Sequence, residues 1–304
     1  DFCISQRVKA FMTCDTHKIA PTAMDLVCSQ INVKTFFYQY SNMSEVGPIM
    51  MSTADIMFSF SGLFHNRWIN NGIRPKFFID VGYIYNSSFD LVIRRANRLR
   101  KKLKDNGVQF IICYFDESVQ ENDKYGVINK NDHLKDILAL AENVISDSSI
   151  AVITKSQYSR NSPEILYKGN RIIKSAIQTN RMINLINGKI RNNIFPAEAA
   201  LASDIVINHA IGGSAGLEAA LNGKRCILLN SHGMQSPNIE IYKKANILYE
   251  NIDSALIAIS SLRKGKNKYQ NLGKWEKIID LFDPYNDGKA SNRIRSLLTE
   301  TILK

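Results

Sequence analysis

The sequence predicts an α/β protein built from two Rossmann-like, doubly wound parallel-sheet domains, the N-terminal one incomplete. Short β-rich runs alternate with helical segments along the chain, the order that builds parallel sheets with crossover helices. The segment from Ser203 to Leu229 reads as one strand, loop, helix and strand with a Gly-rich loop. An Asp stands ahead of a strand in each half, in Ala54-Asp55-Ile56 and in Ser203-Asp204-Ile205, a weak internal repeat of the kind paired domains leave.

The elements follow in order. A strand over Val8 to Thr13 leads through a loop, Cys14 to Lys18, into a helix from about Ala20 to Gln30, with Pro21 in its first turn. Strands over Val33 to Tyr40 and Ile56 to Phe60 flank a polar loop containing Gly47-Pro48. Few strands precede Pro75, so the first domain reads as the rear part of a larger one. After Pro75 the pattern restarts with a strand over Phe77 to Val81, a turn over Gly82 to Ser88, a helix over Phe89 to Lys104 ended by Asn106-Gly107, and a strand over Gln109 to Phe115. The loop Asp116 to Asp132, a helix over His133 to Ile145 and a strand over Ile150 to Thr154 come next. A long basic segment reaches Pro196 and a short helix, Ala197 to Ala202, which delivers the chain to the Gly-rich unit. A strand near Ile247 to Tyr249 and helices over Ile252 to Leu262, Lys274 to Phe282 and Ser291 to Leu303 complete the chain. The domains expected are residues 1–75, residues 76–285, and a C-terminal helix, 286–304, packing back on the first.

The Gly-rich loop carries the chemistry. Ile205 to Ile207 form a buried strand, Gly212 and Gly213 open the backbone, and Ser214 is the expected N-cap of a helix running from Ala215 to Leu221. Unpaired amides and the positive end of the helix dipole face the loop, an arrangement suited to a phosphate. The same turn also serves tight packing alone. Its spacing is not G-x-G-x-x-G, and no acid ends the following strand, so a nicotinamide dinucleotide site is excluded. No G-K-[ST] occurs, which excludes a P-loop.

Composition narrows the partners. The chain has 304 residues and a net charge of +11, from 39 Lys and Arg against 28 Asp and Glu. Such a balance attracts anions. Basic residues gather on Arg94 to Lys104 and between Glu164 and Glu198, where no acid occurs; such runs are either solvated helix faces or a surface for an anionic membrane, an anionic saccharide or nucleic acid. No nucleic-acid module is present, and none of the five Cys or five His has metal spacing, so no metal site is expected. The odd, scattered cysteines suit small core residues in a reducing compartment. No apolar run reaches membrane-spanning length.

The A-x-A-S-D-I-V-I segment at Ala200 to Ile207, the loop Gly212 to Gly216, then Leu217-Glu218-Ala219 and Gly223-Lys224, resemble the donor-binding region of GT-B fold glycosyltransferases. Within these, the chain is similar to bacterial enzymes of surface polysaccharide biosynthesis, O-antigen or capsule. Val33 to Asn42, Thr53-Ala54-Asp55, Val81-Gly82-Tyr83 and Asp287-Gly288-Lys289-Ala290 with Arg293 add to the resemblance. It implies transfer of a sugar from a nucleotide-sugar donor, held by the C-terminal domain, to a lipid-linked or polymeric acceptor on the N-terminal side. No cofactor is implied beyond the donor itself, and no metal. The implied location is cytoplasmic, peripheral at the inner membrane face.

On that reading Gly212, Gly213, Ser214, Ala215 and Gly216 cradle phosphate and Glu218 binds ribose hydroxyls. Lys155 is either a cationic contact or an exposed strand-end lysine, and His209 either touches phosphate or base or is structural. Gly82 and Tyr83 are placed as a second donor turn or as ordinary turn residues. Asp15 and His17, in the loop after the first strand, are the candidate catalytic base pair; the competing role for Asp15 is a helix cap. Two other functions stay open: a nucleotide-sugar 2-epimerase of the same fold, and a non-enzymatic basic protein binding nucleic acid or lipid.

Overall fold

A computed structural model describes residues 2–14, 19–42, 52–117, 119–120, 128–189 and 193–303. The chain forms two compact units, residues 1–86 together with 278–304, and residues 87–277.

The first unit is built on a parallel four-stranded sheet of β1 (Ala10–Thr13), β2 (Lys34–Tyr38), β3 (Ile56–Ser59) and β4 (Phe77–Asp80), in that spatial order. Met12, Phe36, Ile56 and Phe77 stand in register across it. Every crossover steps the same way, so strand order never reverses. Adjacent residues Phe36 and Phe37 are both fully buried because the sheet is covered on both faces. Phe36 and Phe58 pack with Val81 and Ile294, which brings the helix Ala290–Leu303 onto one face. Phe37 meets the edge of Trp68, from the helix His65–Asn70, at 5.4 Å.

The second unit carries β5 (Phe110–Phe115), β6 (Val119–Gln120), β7 (Ile128–Asn129), β8 (Ile150–Lys155), β9 (Met182–Asn184), β10 (Ile205–His209), β11 (Arg225–Leu229) and β12 (Leu248–Tyr249). Six of them form one parallel sheet in the order β12-β11-β10-β5-β8-β9; β6 and β7 pair separately. β8 is buried at every residue and β5 at all but its first, so their apolar runs are continuous rather than alternating. Helices Ser88–Asp105, Lys130–Ser146 and Arg171–Gln178 lie between strands, and Ile252–Arg263 follows β12.

Two Rossmann-like units of parallel sheet and helix match the fold class read from the sequence. The division of the chain differs from the expected one. The strand after Pro75 does not open the second unit: β4 pairs with β3, Ile56 opposite Phe77, and belongs to the first sheet. Chain order alone cannot tell a sheet's last strand from the next sheet's first. The last unit-one segment starts at Ile278, earlier than the expected 286. The helix expected over Lys274 to Phe282 shrinks to Ile279–Phe282. Gly273, at φ 70°, instead accepts the Cys226 N–H at 2.7 Å and Trp275 Nε1 donates to Cys226 O at 2.9 Å, so this stretch is spent on the β11 backbone.

Some of the basic side chains are tied into the fold. Arg95 pairs with Glu198 at 2.9 Å, and Arg100 with Asp204 at 2.5 Å. Arg181 donates to the carbonyls of Val144, Asp147 and Ile150, closing the C-terminal end of Lys130–Ser146. Among the described residues no helix is long and apolar enough to cross a membrane.

Candidate functional site

In the six-stranded sheet the chain runs outward through β5, β8 and β9, then returns to the other side of β5 as β10, β11 and β12. Strand order reverses between β5 and β10, and open α/β sheets bind ligands outside the carboxyl ends of the strands at such a point. The Gly-rich bend follows β10 and two acids follow β5.

β10 stays in the sheet through Ala210, whose N–H donates to Leu229 O at 2.8 Å. Gly212 and Gly213 then adopt φ of 74° and 55°, left-handed values that reverse the chain into the helix Ser214–Leu221. Gly213 is the N-cap, and no side chain caps the helix. Its first amides, carrying the positive end of the dipole, therefore line the bend.

A carboxyl already uses one amide of the bend. Glu117 accepts a hydrogen bond from the Gly213 N–H, and a Cβ on Gly212 would stand 3.3 Å from its Oε1. The Gly213 amide can donate to other oxygen acceptors in the same way. Burial, and then the neighbouring Asp116, push the Glu117 carboxyl up to about 8, against the pull of the Gly213 amide. Lys155, the last residue of β8, is buried and donates to the Ser156 carbonyl at 3.1 Å. Burial lowers its pKa, while the charges of Asp116, Cys113 and Glu218 act the other way. Glu218, buried in the helix after the bend, accepts the Ser88 hydroxyl at 2.5 Å.

Beneath the bend lies a buried polar network. Tyr114 of β5 donates its hydroxyl to Asp136 at 2.9 Å, and His209 Nε2 lies 2.8 Å from the same oxygen. Because the Tyr114 proton is committed to Asp136, Nε2 is the protonated nitrogen of a neutral His209. Burial, reinforced by His133 and His232, holds His209 down at about 3. Burial also pushes Asp136 up to about 6, against the Tyr114 hydroxyl. Asp116 sits 3.6 Å from His133 Nε2 with neither oxygen hydrogen-bonded among the described residues.

The structure thus brings Lys155, His209, Gly212, Gly213, Ser214, Ala215, Gly216 and Glu218 onto one unit, and corrects several roles. His209 is structural, its ring nitrogen bound to Tyr114 rather than turned to the bend. Lys155 is buried, not an exposed strand-end residue. Ser214 is the first helical residue rather than the cap, because Gly213 takes the left-handed conformation there. Gly216 serves packing: a Cβ would come within 2.9 Å of Cys226 Sγ and 3.0 Å of Asn208 Nδ2. Gly82 and Tyr83 lie on the other unit, where a Cβ on Gly82 would meet Asp283 Oδ1 at 2.7 Å and the Tyr83 N–H donates to Asp283 Oδ2 at 3.0 Å. They anchor the C-terminal segment. Asp15 and His17 lie outside the described residues. Sequence reading passed over Asp116 and Glu117; the available signal was an acidic pair directly after a buried strand in a basic chain.

No protein-family model and no curated protein matches this sequence. Solved structures do. A UDP-GlcNAc 2-epimerase from Neisseria meningitidis, bound to UDP-GlcNAc, superposes with a TM-score of 0.62 at 11% identity, covering 99% of this chain and 78% of that one. HepE from Anabaena, in complex with UDP, gives 0.58 at 13% identity over 98% and 80%. The wall teichoic acid polymerase TagF gives 0.54 at 14% over 97% and 73%. At such identities the likeness establishes the fold alone: GT-B-like, with two Rossmann-like domains in one chain.

Proposed function

We propose that this chain is a nucleotide-sugar enzyme that transfers a sugar from its donor to a lipid-linked or polymeric surface-polysaccharide acceptor, without a metal. The observation that carries the reading is the left-handed Gly212-Gly213 bend, entering the helix Ser214–Leu221 at the point where strand order reverses in the second sheet. Its amides and Lys155 offset the charge of a leaving phosphate, and Glu218 receives ribose hydroxyls. Fold relatives that bind UDP and UDP-GlcNAc support the donor class. Asp15 and His17 remain the base pair proposed on sequence grounds, tested by Asp15→Asn and His17→Ala, which should lower turnover and spare donor affinity.

Calorimetric titration with UDP, UDP-glucose and UDP-GlcNAc tests the donor site. The reading expects saturable binding that survives raised salt and is weakened by Gly213→Val; titration with single-stranded nucleic acid serves as the contrast, since phosphate-backbone binding collapses with salt. Activity unchanged by a chelator is expected. The epimerase alternative has its own support in the Neisseria enzyme's fold. Donor alone, followed by NMR, separates the two, because an epimerase converts UDP-GlcNAc with no acceptor present.

A further inference from the structure

A basic pocket opens on the second unit at the edge of its sheet, away from the Gly212-Gly213 bend. It includes Tyr249 of the edge strand β12 and encloses about 500 Å³. The rest of its lining comes from two short stretches, the C-terminal end of the helix Pro237–Lys244 with the turn that follows, and residues 268–277.

Backbone bonds hold both stretches in place. The N–H groups of Ala245, Asn246 and Ile247 donate to the carbonyls of Ile241, Lys243 and Tyr242, so these last helical carbonyls are satisfied rather than bare. In the second stretch Gly273 O accepts the Cys226 N–H at 2.7 Å, Arg225 Nη1 donates to Leu272 O at 2.7 Å, and Trp275 Nε1 donates to Cys226 O at 2.9 Å. A Cβ on Gly273 would stand 3.0 Å from Cys226 N, so the segment lies tight against the strand. Arg225 and Cys226 open β11, whereas the bend follows the carboxyl end of its parallel neighbour β10. The pocket and the bend are therefore separate places on one sheet.

The lining is predominantly cationic. Lys244, Lys268, Lys274 and Lys277 share the pocket with one acid, Glu276, which pairs with Lys274 at 3.6 Å and is itself 77% exposed. Lys244, Lys268 and Lys277 have no carboxylate at ion-pair distance among the described residues. Lys268 stands over a ring instead, with Nζ 5.7 Å from the Tyr269 centroid. Tyr249 and Tyr269 are half-buried. Burial, and then Tyr269, raise the Tyr249 phenol, which keeps it a neutral ring with a hydroxyl donor.

Each part of this lining has a matching chemistry. Ammonium groups bind phosphate as point charges. Phenol rings cover the apolar face of a sugar, and the Asn246 and Asn271 amides can exchange hydrogen bonds with its hydroxyls. The volume falls in the range of small-ligand sites, roughly 300–1,000 Å³, and a flat bilayer surface cannot enter a concave pocket.

We propose that this pocket binds a phosphorylated saccharide, either free or as one unit of a phosphate-bearing glycan chain. The phosphate is taken by Lys244, Lys268 and Lys277, and the sugar lies against Tyr249 and Tyr269. The assignment does not rest on the glycosyl-transfer reading, since no residue of the bend takes part.

Calorimetric titration of the whole chain with inorganic phosphate, mannose, mannose 6-phosphate and pentamannosyl phosphate tests it. Mannose 6-phosphate should bind about tenfold tighter than phosphate or mannose, because it uses both halves of the pocket. Joint Lys268→Ala and Lys277→Ala substitution should weaken that binding by about tenfold or more. These lysines are exposed, so the variant should melt as wild type does. Tyr269→Leu should remove the advantage of mannose 6-phosphate over phosphate and leave phosphate binding in place. Tighter binding of pentamannosyl phosphate than of mannose 6-phosphate marks a chain as the source, and the reverse marks the free sugar phosphate; both support the site. Phosphate binding as tightly as mannose 6-phosphate, sugar-phosphate binding weakened by Gly213→Val but not by the lysine pair, equal binding of an oligothymidine, or no binding of any probe would overturn it. Failure of UDP to bind counts against the donor reading and leaves this result standing.

Discussion

The two sheets share a device at their amino edges and differ at their carboxyl edges. Asp55, ahead of β3, accepts the Thr35 N–H of β2 at 3.1 Å and pairs with Lys76 at 2.7 Å. Asp204, ahead of β10, accepts the Ile111 N–H of β5 at 2.8 Å and pairs with Arg100 at 2.5 Å. In both, one carboxylate satisfies the first unpaired amide of a neighbouring parallel strand and a cation balances its charge. At the carboxyl edges the likeness ends. The sheet whose strand order never reverses ends in a buried Ser59 hydrogen-bonded to the partly exposed His65 and Asp80, while the sheet that reverses ends in the Gly212-Gly213 bend beside buried acids. The shared device is structural, and only the carboxyl edges differ.

The largest effects should come from changes that break this architecture. Gly216→Val forces side-chain atoms onto Cys226 and Asn208 and should cost about 1–3 kcal/mol or more by overpacking. Denaturant titration with hydrogen exchange should place that loss in the second unit. Asp55→Ala and Asp204→Ala should each cost about 1–3 kcal/mol, the range for stranding a backbone donor. A loss confined to one of them would end the equivalence of the two amino edges.

Glu117→Gln sharpens the contrast at the carboxyl edges. A carboxyl raised to about 8 in the folded protein, from its ordinary 4.5, makes its stability contribution below the ordinary value and loses it as pH rises through about 8. Wild-type stability should therefore fall relative to Glu117→Gln across that window, while the two agree near pH 4. UDP should bind the two proteins alike at pH 6 and bind wild type several-fold more weakly at pH 9, where ionised Glu117 competes for the Gly213 amide. Identical pH profiles would remove Glu117 from the bend. Ser214→Ala should matter least: Gly213, not Ser214, occupies the N-cap position, so melting should register less than about 0.5 kcal/mol, against the larger loss a true N-cap shows.

Local signals were legible where the chain supplies its own neighbours. The continuous apolar runs of β5 and β8, the helix ended by Asn106-Gly107 and the Gly212-Gly213 turn all depend on contacts or dihedrals a few residues long. The paired Asp motif could be seen as a repeat, although its partners, Thr35 and Ile111, could not. The site was legible only in its backbone half. Glu117 lies far from Gly213 in sequence, Tyr114 far from His209, and Ser59 and His65 far from Asp80, so no spacing rule ties them together.

The alternation of apolar runs and turn residues by itself determined that this protein is a parallel α/β chain with a Gly-rich strand-to-helix bend, because period, φ and capping are properties of short segments. Which strand belongs to which sheet, that Gly213 rather than Ser214 begins the helix, and that a carboxyl rests on the bend were decided only in three dimensions. Hydrogen bonding between parallel strands, and the desolvation that lifts Glu117 and lowers His209, arise from neighbours that folding alone brings together.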